Sequence, residues 1–141
     1  ATHATIDHSF RVALAADCSF VARSFAGDID HLVQTVKRGI QHRGFAFIDV
    51  LQPCVSFNHK NTFAWYREHV YKLEDEPGYD PTDLMAAFVR AHQWGDRIPI
   101  GVFYQKERPT LEDHFPVLRD EPLVQRGIDP QRITPLMQEL T

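Results

Sequence analysis

Two cysteines, Cys18 and Cys54, are the only thiols in the 141 residues. That is too few for a disulfide framework, and two thiols cannot close a four-thiolate metal site. No apolar run reaches the ~18 residues of a membrane span. No basic–apolar leader opens the chain, so a cytoplasmic location is the default expectation, where both thiols stay reduced. Basic residues form no block. Lys37, Arg38 and Arg43 fall on one predicted helix, and the net charge is -4, so the electrostatic footprint of nucleic-acid binding is lacking. GxGxxG, Walker, HExxH and GxSxG patterns are all missing, which removes the short motifs for dinucleotides, phosphates, zinc hydrolysis and serine nucleophiles.

What remains is an ordinary globular composition, 43% hydrophobic and 24% charged, long enough for one domain with a real core. His8 to Ala16 reads as a helix capped by Asp7 or Ser9, and Cys18 to Arg23 as a strand. After a turn at Phe25–Gly27, Asp28 or Asp30 opens a helix. Ile29, Leu32, Val33, Val36 and Ile40 give it one apolar stripe, expected to be buried. Gly44 is the expected residue just past its end. Phe45 to Leu51 is the next strand, apolar enough to be covered on both faces. Its one acid, Asp49, needs a partner if buried. Together these segments make a βαβ unit over about residues 19–51 with parallel strands and a right-handed crossover. The expected fold is α/β: part of a doubly wound parallel sheet, carrying a C-terminal α/β extension.

Farther on, Asn61 or Thr62 caps a helix reaching Val70. Residues 72–78 read as an exposed acidic connector. Asp80-Pro81-Thr82-Asp83 reads as a helix start. Leu84, Met85, Phe88, Val89 and His92 are the expected buried stripe of that helix, with Gly95 at its end. Ile98 to Tyr104 is a strand that Pro99 marks as an edge or late addition. Thr110–Asp113 has the form of a capping box, cut short by Pro116. Asp129-Pro130 opens a last helix with Ile133, Leu136, Met137 and Leu140.

Chemistry concentrates at one point. Pro53 and Cys54 follow the apolar strand, and open α/β sheets place their sites at the carboxyl ends of strands. Residue type alone leaves Cys54 open between a structural thiol, a ligand and a nucleophile, with His59 the only histidine close in sequence. Cys18 reads as a buried, inert thiol. Of the eight histidines, none pairs at i,i+4. His31, His42 and His92 read as surface or half-buried helix residues, and His59 and His69 are weak metal candidates. Phe57, Phe63, Trp65, Tyr66 and Tyr71 read as packing.

Several blocks carry a resemblance, in order: Cys18–Asp28, Phe45–Asn58, Asn61–Tyr66, Val70–Glu74, Tyr79–Asp83 and Ile98–Tyr104. Together they resemble the C-terminal half of the β subunit of thiamine diphosphate-dependent 2-oxoacid:ferredoxin oxidoreductases, over about Ala13 to Pro109. Such enzymes oxidatively decarboxylate a 2-oxoacid, form an acyl-CoA and pass electrons through iron–sulfur clusters to ferredoxin. Their β subunit carries thiamine diphosphate, Mg²⁺ and a 4Fe–4S cluster. The resemblance makes Cys54, in Pro-Cys-Val-Ser-Phe-Asn, the fourth cluster ligand, the other three lying in the family's N-terminal half. Asn58 is the second candidate for cofactor contact, while Ser56 and Lys60 read as loop residues. No catalytic residue is expected in this segment, and no ligand role passes to Cys18.

The family's Gly-Asp-Gly-Asp, Cys-x-x-Cys and Asn-Asn-x-x-Tyr-Gly segments are lacking here. The chain therefore reads as the C-terminal piece of a β subunit, inactive and without cofactor by itself. On this division residues 1–53 close the thiamine diphosphate domain and residues 54–141 form the C-terminal extension. The implied partners are the N-terminal half, the α subunit and ferredoxin, with coenzyme A and a 2-oxoacid as substrates. The competing reading is an independent α/β binding or assembly module with no redox part, and a lone thiol enzyme using Cys54 ranks below it.

Overall fold

The computed structural model describes residues 8–115, 123–125, 127 and 130–139. Helix α1 (His8–Ala15) leads to strand β1 (Phe20–Phe25), helix α2 (Ile29–Gln41) and strand β2 (Ala46–Leu51). Then come α3 (Phe63–His69), β3 (Val70–Lys72), a 3₁₀ turn at Leu73–Asp75, α4 (Leu84–Ala91) and β4 (Ile98–Gln105). The chain separates into two compact units, ending and beginning at Arg108 and Pro109.

The mixed sheet has the order β2-β1-β4-β3. β1 and β2 are parallel, in register from Phe20↔Ala46 to Phe25↔Leu51, as the βαβ pattern predicts. β4 runs antiparallel beside β1 and parallel to the short β3. Strand β1 is buried throughout. Its alternation sends Phe20, Ala22 and Ser24 toward α2, and Val21 and Arg23 toward α1. Phe10, Leu14, Val21, Ala87, Ala91 and Phe103 form the core on the α1 and α4 side. Phe25, Leu51, Ile98 and Ile100 form a second cluster, joined by Phe63, Trp65 and Tyr66.

Several expectations change. β4 is not an edge strand. Its ladder with β1 begins at Gly101, so Pro99 precedes it and pairs only toward β3, opposite Tyr71. Part of the acidic connector is strand β3 followed by buried Leu73. Helix α4 starts later than Asp80, because the Pro81 carbonyl accepts a bond from Gln105 N–H instead of opening a helical ladder. Asp83 is the true cap, accepting from the N–H groups of Met85 and Ala86. Met85 and Val89 are exposed, and α4 buries Ala87 and Ala91.

The α2 stripe is also not buried. Thr35 and Gly39 face the sheet, while Ile29, Val33, Val36 and Ile40 are exposed. A Cβ on Gly39 would stand 2.7 Å from Ile48 Cδ1, so the missing side chain sets how closely α2 lies on β2. The helix ends at its C-cap His42 rather than at Gly44. His42 Nε2 and Ser19 Oγ share a 3.0 Å hydrogen bond, and Gly44 (φ +131°) passes the same serine where a Cβ would clash. Asp28 caps the other end. β2 is only half-buried, since one of its edges is open among the described residues.

In the second unit, Thr110 and Asp113 make the expected capping box on α5 (Leu111–His114). A 3₁₀ turn, Pro130–Ile133, precedes helix α6 (Thr134–Glu139). Asp7, Asp129, Leu140 and the Leu136 side chain lie outside the described residues.

Candidate functional site at the carboxyl ends of β1 and β2

β2 ends at buried Leu51, whose carbonyl accepts the Ala26 N–H at 3.0 Å and ties the two strand ends together. Pro53 is buried, and Cys54 emerges as an exposed free thiol. Its carbonyl accepts from both Phe57 N–H (3.2 Å) and Asn58 N–H (2.8 Å), folding residues 54–58 into one tight turn. Asn58 Oδ1 then accepts from the N–H groups of Lys60 and Asn61 at 3.0 Å each, and its Nδ2 donates to Asn61 Oδ1. The loop is thus held by its own polar groups, and Thr62 caps α3 immediately after it. Ser56 and Lys60 are exposed. Phe57 is 91% exposed, so it does not join the packing of Phe63, Trp65 and Tyr66.

Cys18 lies at the other end of the strands. It is buried, with Sγ 3.3 Å from the carbonyls of Phe20 and Phe45, and burial pushes its thiol pKa up. The two thiols therefore face opposite ends of the sheet and cannot serve one metal centre. Among the described residues no three potential ligands gather at one point. His59 is exposed, and His69 stacks on Trp65 with ring centroids 4.0 Å apart. The donor set here amounts to one exposed thiol, Cys54, on a hydrogen-bonded turn, which by its chemistry could give a metal centre one ligand and no more.

Beside the end of β1, an open cleft of about 500 Å³ is lined by Phe25, Gly27, Asp28, Arg67, Tyr71 and Lys72, among others. Lys72 Nζ lies 2.9 Å from Asp28 Oδ2. The Lys72 ammonium holds the Asp28 carboxyl below its usual range, and Asp28 raises Lys72 in turn.

Two polar arrangements escape a reading of the sequence. Arg23, 1% exposed, donates from Nε to Asp49 Oδ2 at 2.8 Å, which supplies the partner Asp49 needs. Its guanidinium lies 4.4 Å from the Phe10 ring centroid and 5.6 Å from that of Phe103. Alternation puts Arg23 on the Val21 face of β1, but its partners come from other elements of the chain. Second, Ser24 Oγ and His31 Nδ1 share a 2.8 Å hydrogen bond, and His31 Nε2 stands 3.9 Å from Glu74 Oε2. Burial opposes ionisation of Glu74, but contacts from His31 and the Val102 N–H outweigh it and lower its pKa. Ser24 is fully buried, and His31 Nε2 makes no hydrogen bond, so among Ser24, His31 and Glu74 only the Ser24–His31 contact is a hydrogen bond.

Residues 54–120 match the family model described as the C-terminal part of the pyruvate ferredoxin oxidoreductase β subunit. A 2-oxoacid:ferredoxin oxidoreductase subunit beta from Sulfolobus sp is 43% identical over 114 residues, covering 74% of this chain and 37% of the relative. Subunit beta of 2-oxoacid:ferredoxin oxidoreductase 1 from Aeropyrum pernix is 39% identical over 142 residues, covering 91% and 42%. The chain belongs to this β-subunit family. Its fold agrees. A 2-oxoglutarate:ferredoxin oxidoreductase from Magnetococcus marinus, solved with 2-oxoglutarate, coenzyme A and succinyl-CoA bound, matches with TM-score 0.71 and 29% identity. That match covers 90% of this β-subunit chain and 43% of the solved one. The chain spans less than half the length of the curated relatives it matches.

Proposed function

We propose that this chain is the C-terminal part of the β subunit of a cytoplasmic 2-oxoacid:ferredoxin oxidoreductase, and that Cys54 is the fourth thiolate of a 4Fe–4S cluster. The division is that of the resemblance: residues 1–53 complete the thiamine diphosphate domain and residues 54–141 extend it. The observation that carries the reading is Cys54 itself. It is exposed on a self-braced turn just beyond the carboxyl end of a parallel strand, where α/β sheets hold ligands.

In the complete enzyme thiamine diphosphate with Mg²⁺ supplies carbanion stabilisation, and the cluster supplies one-electron transfer toward ferredoxin. This chain's residues position and enclose. Cys54 would hold one iron of the cluster through Sγ, and the neighbouring N–H groups of Val55 and Ser56 would adjust the field at that sulfur. Asn58 keeps the turn in shape through Lys60 and Asn61. The 2-oxoacid, coenzyme A, the α subunit and the N-terminal half of the β subunit are the implied partners. By itself the segment is inactive.

The test is Cys54→Ala in the complete enzyme. The expected result is loss of the 4Fe–4S electron paramagnetic resonance signal and of ferredoxin reduction, with thiamine diphosphate content kept. An intact cluster with full activity would sink the assignment, and a stable monomer indifferent to the missing half would favour the independent α/β module.

A further inference from the structure

The turn that carries Cys54 hangs between two anchored points. Upstream, Leu51 and Pro53 are buried, and the Ala26 N–H holds the Leu51 carbonyl. The proline ring also fixes the backbone just before the thiol. Downstream, Thr62 accepts the Trp65 N–H and opens α3, whose Phe63, Trp65 and Tyr66 pack with Phe25, Ile98 and Ile100. Between these points every residue from Cys54 to Lys60 is exposed, Phe57 by 91%. Apolar burial therefore does not fix where the Cys54 side chain stands, and hydrogen bonds carry that task.

One residue gathers those bonds. The Asn58 N–H donates to the Cys54 carbonyl at 2.8 Å and closes the turn behind the thiol. Its Oδ1 accepts from the Lys60 and Asn61 N–H groups, two and three residues on, in the manner of an Asx turn. Its Nδ2 donates to Asn61 Oδ1 at 3.2 Å. Asn61 adjoins the Thr62 cap. The main chain of Asn58 is thus tied to Cys54, and its side chain to the start of α3. The main-chain bond survives substitution by alanine. What the carboxamide adds is the connection to α3, without which the turn can swing as a unit.

We propose that Asn58 is a positioning residue for the Cys54 sulfur: its carboxamide locks the thiol-bearing turn to the start of α3 and so sets how firmly that sulfur holds iron. This rests on reading Cys54 as a cluster ligand. Groups that bind a metal work when held within about 0.5 Å of their productive place by residues that support them.

The test uses the complete enzyme with Asn58→Ala, Asn58→Asp and, as a control, His59→Ala at an exposed neighbour. Iron release to a chelator is followed anaerobically through the 4Fe–4S electron paramagnetic resonance signal. Amide hydrogen exchange over residues 54–61 is the second readout, and circular dichroism checks folding. Asn58→Ala should release iron roughly 10–100 times faster than the parent, the usual effect of losing a group that supports a metal ligand. It should also change the line shape of the reduced cluster and speed exchange at Lys60 and Asn61. Asp keeps an oxygen in the place of Oδ1, so Asn58→Asp should restore iron retention to within about threefold of the parent. Its negative charge should lower the cluster's midpoint potential, since reduction adds charge of the same sign. His59→Ala should match the parent. Faster exchange in Asn58→Ala with unchanged iron release and line shape would mean that the residue only caps the loop, and overturns the proposal. So does an Asn58→Asp variant that releases iron as fast as Asn58→Ala. A Cys54→Ala enzyme that keeps its cluster overturns the ligand reading and this proposal with it. Loss of the cluster in Cys54→Ala, with Asn58→Ala equal to the parent, overturns the positioning role alone.

Discussion

Arg23 is the most consequential single residue that the sequence conceals. Its charge sits in a strand buried from end to end, balanced by Asp49 and by the faces of Phe10 and Phe103. Removing one partner of such a pair strands the other in a poorly hydrated site, at a cost of about 3–5 kcal/mol. Asp49 is 21% exposed, so water offsets part of the loss. Asp49→Ala should therefore cost about 3 kcal/mol, read as a lowered urea midpoint at constant slope. Replacing the pair together, Arg23→Met with Asp49→Leu, should recover most of that loss. A single Asp49→Ala variant as stable as the parent would show that the pair contributes little.

At the scale of elements, the helix and strand pattern was legible wherever local chemistry decides it. The βαβ unit, a helix cap at Asn61 or Thr62 (the structure uses Thr62) and the Thr110–Asp113 box all follow from residue type and spacing. Elements fixed by distant partners were not legible. β3 is three residues long and exists because β4 lies beside it. The α2 stripe marks an apolar face, but periodicity cannot say whether that face meets this chain's own sheet. At the candidate site, the place of Cys54 after β2 was legible, whereas the engagement of Asn58 by its own loop depends on how residues 54–61 turn back on themselves. The Asp28–Lys72 contact joins the start of α2 to β3 and has a testable pH signature. Asp28 is depressed in the folded state, so its contribution is complete above the unfolded carboxylate value of about 3.9 and is lost as pH falls through the native value. Lys72 is raised, so its contribution holds below about 10.4 and is lost as pH rises through the native value. Asp28→Asn keeps a capping oxygen and removes the charge. At neutral pH it should cost no more than about 1 kcal/mol, because both groups are partly solvated. Its stability curve should meet the parent's at both pH extremes. A constant offset at every pH would assign the loss to the cap and not to the ion pair.

Over the whole molecule, the sheet itself separates the two thiols. Cys18 precedes β1 and Cys54 follows β2, and the two strands run parallel in full register. The six residues of each strand rise about 20 Å at ~3.3 Å per residue, which already exceeds the reach of a single cluster. Burial adds a second barrier, since Cys18 is enclosed with a raised pKa while Cys54 is open to solvent. One chain therefore offers an incoming cluster one thiolate, whatever the iron and sulfide supply. Anaerobic reconstitution of the isolated chain with ferrous iron and sulfide should leave the monomer without a bound 4Fe–4S cluster by native mass spectrometry. The same treatment of the complete β subunit should load one. A stoichiometric cluster on the isolated monomer would mean that the strands do not hold the thiols apart, and would overturn both the register of β1 with β2 and the assignment of Cys54 as one ligand among four.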